Sequence, residues 1–239
     1  MDDFMEEISV AAKEIFQVGG LVITNTFFWT LIITAMLVVS MAFIFRKPSL
    51  VPNRVQNFFE FILESLMGFV DSITGSGVKT NEIFPLAATL FLLIWSVNLM
   101  ELIPGLGVFP ILRSPSSDLN FTIALAIISI VSVNYYSIKH LGAGKYLGKF
   151  FNFKSPIQFF VGILEFVGEF SKVISLSMRL FGNLFAGEVL LIIISSLCAY
   201  LLPLPFLALE VLVTFIQALV FATLTVVFYS IATIEMEHG

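Results

Sequence analysis

The chain has 239 residues and a formal net charge of −5; 58% of it is apolar and only 12% is charged. Soluble domains carry roughly 25% charged residues, and 27 phenylalanines are more apolar bulk than a soluble core of this size hides. The composition thus excludes an ordinary soluble domain. No basic stripe exists to suit a nucleic acid, and Cys198 with the distant His140 and His238 leaves no disulfide framework, metal cluster or other cofactor site.

Residues 1–20 are acidic toward their start and lack the basic leader and small-residue cleavage site of a signal peptide. About 20 mainly apolar residues cross a bilayer. The first such stretch, about 24–45, holds no charge and stops at Arg46-Lys47-Pro48, where a proline ends the helix and a basic pair suits the interface. In 51–73, Phe58, Phe59, Ile62, Leu66, Phe69 and Val70 recur at helical spacing between Glu60, Glu64 and Asp71. That pattern predicts an amphipathic helix lying on the membrane surface. A second span runs over about 83–103, with Asn98 and Glu101 near its end and Pro104-Gly105 closing it. A third runs over about 119–138, after Ser116-Ser117-Asp118, a suitable N-cap region.

The stretch 157–200 is apolar but carries Glu165, Glu169, Lys172, Arg179, Asn183 and Glu188. As one helix it would reach about 65 Å, so it tilts, bends or lies partly at the interface. Pro203 and Pro205 break the chain, and a last span over about 206–234 contains Glu210 and Gln217. The expected fold is a single all-α integral membrane domain over 1–239. It has five transmembrane helices plus an amphipathic interfacial helix, with the last two helices long and strongly tilted. Arg46, Lys47, Arg54 and Lys79 fall in one inter-span region and Lys139, Lys145, Lys149 and Lys154 in another, whereas the opposite side receives only Lys13 and Arg113. The positive-inside rule then puts the N-terminus outside and the C-terminus in the cytoplasm or its equivalent.

Charges inside a membrane span cost about 2.5–3.5 kcal/mol each on insertion scales and usually face protein or a water-filled cavity. At about 100° per residue, Glu165, Lys172 and Arg179 share a face, flanked by Ser175 and Asn183 and continued by the small Gly182 and Ala186. Glu188 lies nine residues beyond Arg179, on the opposite side and about 13 Å along the helix. Glu210 and Gln217, seven apart, share a face of the last helix. Carboxyls gain and lose protons, and apolar surroundings bring that exchange toward neutral pH. A guanidinium keeps its proton and so makes a fixed charge, which a buried lysine does not.

The stretch Ile174-Ser-Leu-Ser-Met-Arg-Leu-Phe-Gly-Asn-Leu-Phe-Ala-Gly-Glu188 resembles the signature of the ATP synthase subunit a family. Phe215-Ile-Gln-Ala-Leu-Val-Phe-Ala-Thr-Leu-Thr225, Asn98-Leu-Met-Glu-Leu-Ile-Pro104 and Asp118-Leu-Asn-Phe-Thr122 resemble its other motifs, in the same order. The resemblance implies two long tilted helices against a rotating ring of c subunits, with two half-channels carrying protons to and from a ring carboxylate. It also implies a peripheral-stalk subunit b as neighbour and the rest of the ATP synthase complex as setting. Arg179 matches the arginine that faces the ring and blocks a direct proton leak. Glu188, Glu210, Asn183 and Gln217 match polar positions along the path. Glu165 and Lys172 match a polar pair nearer the cytoplasm, and Ser175 a small polar site. Asn98, Glu101 and Asp118 are further candidates for half-channel lining. Some members carry histidine where this chain has Glu210, so here two acids would share their titration.

Other readings of the same residues are a structural ion pair for Arg179 and an acid pair locking two helices for Glu188 and Glu210. Interface placement is the default for Asn98 and Glu101, near a helix end. No G-x-x-x-x-G-K-[ST] phosphate loop is present, so the chain is expected not to be catalytic on its own. A stand-alone secondary transporter for an anionic substrate, or a membrane scaffold, are the alternative functions. A bacterial inner membrane, or an organellar one, is the expected location.

Overall fold

The computed structural model describes residues 14–18, 21–46, 53–75, 77–102, 114–150, 156–197 and 202–234. Lys13, Lys47, Arg113, Lys154, Cys198 and His238 lie outside them. Among the described residues seven α-helices follow a short hairpin: α1 (Asn25–Ile44), α2 (Arg54–Thr74), α3 (Gly77–Asn98), α4 (Leu119–Leu141), α5 (Ala143–Phe150), α6 (Pro156–Leu197) and α7 (Pro203–Ile234). Five of them, α1, α3, α4, α6 and α7, are long and apolar enough to cross a membrane. The chain is a multi-pass, helical membrane protein.

The hairpin pairs β1 (Glu14–Val18) with β2 (Leu21–Thr24) in antiparallel register, Val18 opposite Leu21. It is a short addition to a chain that is helical almost throughout, as expected of an all-α membrane protein. Three helix limits move, for local reasons. α3 begins at Gly77, six residues before the expected 83, because apolarity marks the buried part of a helix and not its polar first turns. α7 begins at Pro203 because prolines fit a first turn whose N–H groups have no helical acceptor anyway. The expected basic loop over 139–154 contains α5, held to α6 by the edge-on pair of Phe150 and Phe166, 6.4 Å between centroids. Eight residues are too few for a periodic signal.

α6 is one unbroken helix of 42 residues. At about 63 Å it is twice the ~30 Å hydrocarbon thickness, so it crosses at a tilt or runs out along the surface. α3 packs along α7, and α4 packs against both α6 and α7. Their shared core holds Ala87, Ala88, Ala126, Ala218 and Ala222 among Phe91, Ile94, Leu176, Leu180, Phe221 and Val226. Alanines let helix backbones approach where lipid supplies no hydrophobic drive between helices. Two buried hydroxyl pairs tie α4 to its neighbours: Ser129 to Thr225 at 2.7 Å and Thr122 to Ser177 at 3.1 Å. α2 buries Leu66 and Val70 against this core and leaves Phe58, Phe61 and Phe69 exposed. Large apolar side chains likewise cover the outside of α1 and α6, among them Phe43, Phe166 and Phe170, which suits lipid or an apolar partner as solvent.

Candidate functional site

The outer face of α6 presents Ser175, Arg179, Gly182, Asn183 and Ala186, all exposed, while Leu176, Ser177, Leu180, Leu184 and Gly187 are buried toward α4 and α7. Among the described residues no carboxylate lies within ion-pair distance of Arg179. A fixed positive charge thus stands on a smooth strip of small side chains facing away from the rest of the chain.

Behind that strip the polar groups converge. Asn183 Nδ2 donates to Gln217 Oε1 at 2.6 Å, joining α6 to α7. Glu210, only 5% exposed, lies one and two turns before Thr214 and Gln217 on the buried side of α7. Its carboxyl sits on Gly187: a Cβ there would be 2.5 Å from Glu210 Oε1 and 2.7 Å from Cδ and Oε2. The glycine is what lets the acid of one helix reach the backbone of the other. Glu188, next in the chain, is half-buried on the same inner side. The helical geometry that sets it opposite Arg179 therefore holds in an unbroken α6.

Glu101 is the residue most undervalued by its position in the sequence. An interface placement was the default for a group near a helix end; instead it is 4% exposed, in the 3-10 turn Leu99–Leu102 that ends α3. Glu210 and Glu188 are its charged neighbours and Ser114 its hydroxyl neighbour. Among the described residues neither Glu101 oxygen nor the Ser114 hydroxyl finds a hydrogen-bond partner. Asn98, three residues earlier and fully buried, accepts from Ser116 at 2.6 Å and donates to the Thr214 carbonyl at 3.5 Å. The segment Pro115–Ser117 packs against α3 and α6 beside these groups, and no periodicity in the sequence announces that.

Two other candidates are placed differently. Asp118 caps α4, accepting from Asn120 N at 2.9 Å and from Thr26 Oγ1 at 2.7 Å, so both oxygens hold the chain together. Lys172 Nζ donates to Glu169 at 2.6 Å and stands 5.2 Å from the centre of the Phe228 ring, on the same helix as Glu165. Three residues apart is a closer match on a helix than seven. Among the described residues no group of three acids, histidines or cysteines is arranged to hold a metal ion.

The inner cluster needs Gly187 for steric reasons, which gives a direct test. Gly187→Ala places a methyl group inside contact distance of the Glu210 carboxyl. Overpacking of this kind costs about 1–3 kcal/mol. The variant should therefore lose about that much stability in thermal unfolding of the purified protein, and an unchanged midpoint would show that the close approach is immaterial.

A sequence model described as "ATP synthase A chain" matches residues 27–230. The chain is 37% identical to the ATP synthase subunit a of Moorella thermoacetica over 92% of its own length and 95% of that protein's. It is 34% identical to the subunit a of a Sulfurihydrogenibium species, covering 86% and 96% of the two chains. With the subunit a of Geotalea daltonii the identity is 38%, over 84% and 83%.

Proposed function

Because this chain belongs to the ATP synthase A chain family, we propose that it is the proton-channel stator subunit of a rotary F-type ATP synthase. It is then a non-catalytic part of the complex, with the ATP chemistry on other subunits. The observation that carries this reading is the division of α6: exposed Arg179 on a small-residue face, and the acids Glu188, Glu210 and Glu101 gathered behind it.

In this reading the exposed face meets the ring of c subunits. Small side chains let a moving helix pass closely, and the guanidinium, always charged, meets the ring carboxylate as it arrives. A proton crossing directly would have to pass that charge. Behind it, Glu188, Glu210 and Glu101 line an aqueous half-channel, with Asn98, Asn183 and Gln217 as hydrogen-bonding partners. Carboxyls gathered in apolar surroundings call for water or a shared proton, and both are what a half-channel holds. Ser175 borders the arginine. Glu165, Glu169 and Lys172 line the second half-channel toward the cytoplasmic end of α6. Asp118 shapes the outer mouth as a cap. The basic segments place the N-terminus outside, the C-terminus in the cytoplasm and α2 along the inner surface of a bacterial membrane. Subunit b of the peripheral stalk holds the chain against the ring's drag.

Reconstitution separates this from a self-contained transporter. The chain alone in vesicles should move neither anions nor protons above background. With a c-ring and the remaining subunits it should support ATP-driven proton uptake. Solute transport by the chain alone would refute the stator reading.

A further inference from the structure

A second polar knot lies at the other end of the helices, far from the acids described above. The Glu82 carboxylate, in the second turn of α3, receives Lys139 Nζ at 2.7 Å, His140 Nε2 at 2.5 Å and Tyr229 Oη at 2.9 Å. Lys139 and His140 belong to the last turn of α4, and Tyr229 to α7. The three donors are not equivalent. The Lys139 and His140 side chains are 57% and 41% exposed, so water competes for them and their ion pairs contribute little. Tyr229 is fully buried, its ring edge-on to Tyr136 at 5.8 Å. A buried hydroxyl left without an acceptor is costly, so the Tyr229 bond fixes α7 where Glu82 is.

α7 carries that constraint to the acid cluster. From 206 to 234 it contains neither proline nor glycine, so it moves as a rod. Tyr229 is 19 residues from Glu210, about 28 Å along the axis. At the far end tolerances are narrow: Glu210 rests on Gly187 with no room for one more carbon, and Asn183 meets Gln217 at 2.6 Å. A slip or turn of the rod by about 1 Å is enough to break a hydrogen bond of that length.

We propose that Glu82 is a positioning residue for proton transfer, setting through Tyr229 the axial position of α7 and hence the seat of Glu210 and Gln217 against α6. The inference rests on the proton-path reading of Glu210.

The test uses the whole complex in membrane vesicles, with Glu82→Ala, Glu82→Gln, Tyr229→Phe, the Glu82→Ala/Tyr229→Phe double variant and Glu210→Gln. ATP-driven proton pumping is measured per assembled complex across pH. Glu82→Ala and Tyr229→Phe should each lower pumping about two- to tenfold. Both should also move its pH profile, because Glu210 then sits differently toward Glu101 and Glu188. The double variant should be no worse than Glu82→Ala. Glu82→Gln should recover most of the rate, since an amide oxygen still accepts from the tyrosine hydroxyl. A merely structural knot would change the amount of complex but neither the rate per complex nor the pH profile. That result in Tyr229→Phe, with Glu210→Gln impaired, overturns the proposal, as does Glu82→Gln being as impaired as Glu82→Ala. If Glu210→Gln itself pumps normally, the proton-path reading falls and this inference falls with it.

Discussion

Replacing Arg179 with alanine is expected to abolish ATP-driven proton pumping by the assembled complex and to raise the passive proton leak of the same membranes by roughly 100-fold. The size follows from Coulomb's law. A proton about 6 Å from a fixed unit charge, at an effective dielectric constant of about 20, is opposed by roughly 3 kcal/mol, and about 1.4 kcal/mol is a factor of ten. Among the described residues no carboxylate pairs with Arg179, so none of them neutralises that charge. Arg179→Lys retains a cation but not a permanent one: a desolvated lysine releases its proton. It should leak less than the alanine variant and still couple poorly. Pumping measured by acidification of inverted vesicles, and leak measured without ATP, check the two halves separately. Normal coupled pumping by both variants would remove the barrier role.

The second large effect is expected at the inner acids. Glu210→Gln keeps the shape of the side chain, exchanges one acceptor oxygen for an NH2 donor, and removes its charge and its capacity to exchange a proton. A positioned proton-transfer group contributes about 100- to 10,000-fold. Glu188 and Glu101 remain close by as partial substitutes, so a loss near the lower end, roughly 100-fold, is expected. Glu188→Gln should lose less, because it is only half-buried where Glu210 is 5% exposed. In both variants the pH dependence of pumping should change shape, since coupled acids titrate as a group. Unchanged rate and profile in both would reduce the cluster to a helix lock.

The parts of this molecule that could be read from its sequence are those governed by short-range periodicity. Twenty uncharged, mainly apolar residues announce α1, and the 100° turn of α6 separates Arg179 from Glu188 before any coordinates exist. Asp118 was legible as a cap because capping is decided within three residues. What stayed hidden depends on contacts between distant segments. Glu101 is buried because 114–117 folds over the end of α3, and Ser114 brings its hydroxyl there without any patterned signal. Glu82 meets Lys139 and Tyr229 across 57 and 147 residues, and nothing local to any of the three indicates it. Gly187 has no reading of its own within the 174–188 stretch; the approach of Glu210 supplies one. The Lys172–Glu169 hydrogen bond joins residues three apart on one helix, a spacing the sequence shows but does not single out.

The central claim is that the exposed face of α6 around Arg179 runs against the proteolipid ring, and disulfide trapping tests it most directly. Single cysteines at Ser175, Gly182 and Ala186, all exposed, are combined in the whole complex with cysteines on the outer helix of the c subunit. Leu176 and Leu184, 2% and 0% exposed, serve as buried controls one and two residues away from the test positions. Crosslinks from the first three positions and none from the two controls are the predicted result. Crosslinks from the controls, or none from the three exposed positions while other exposed sites on α6 do react with the ring, would contradict the account.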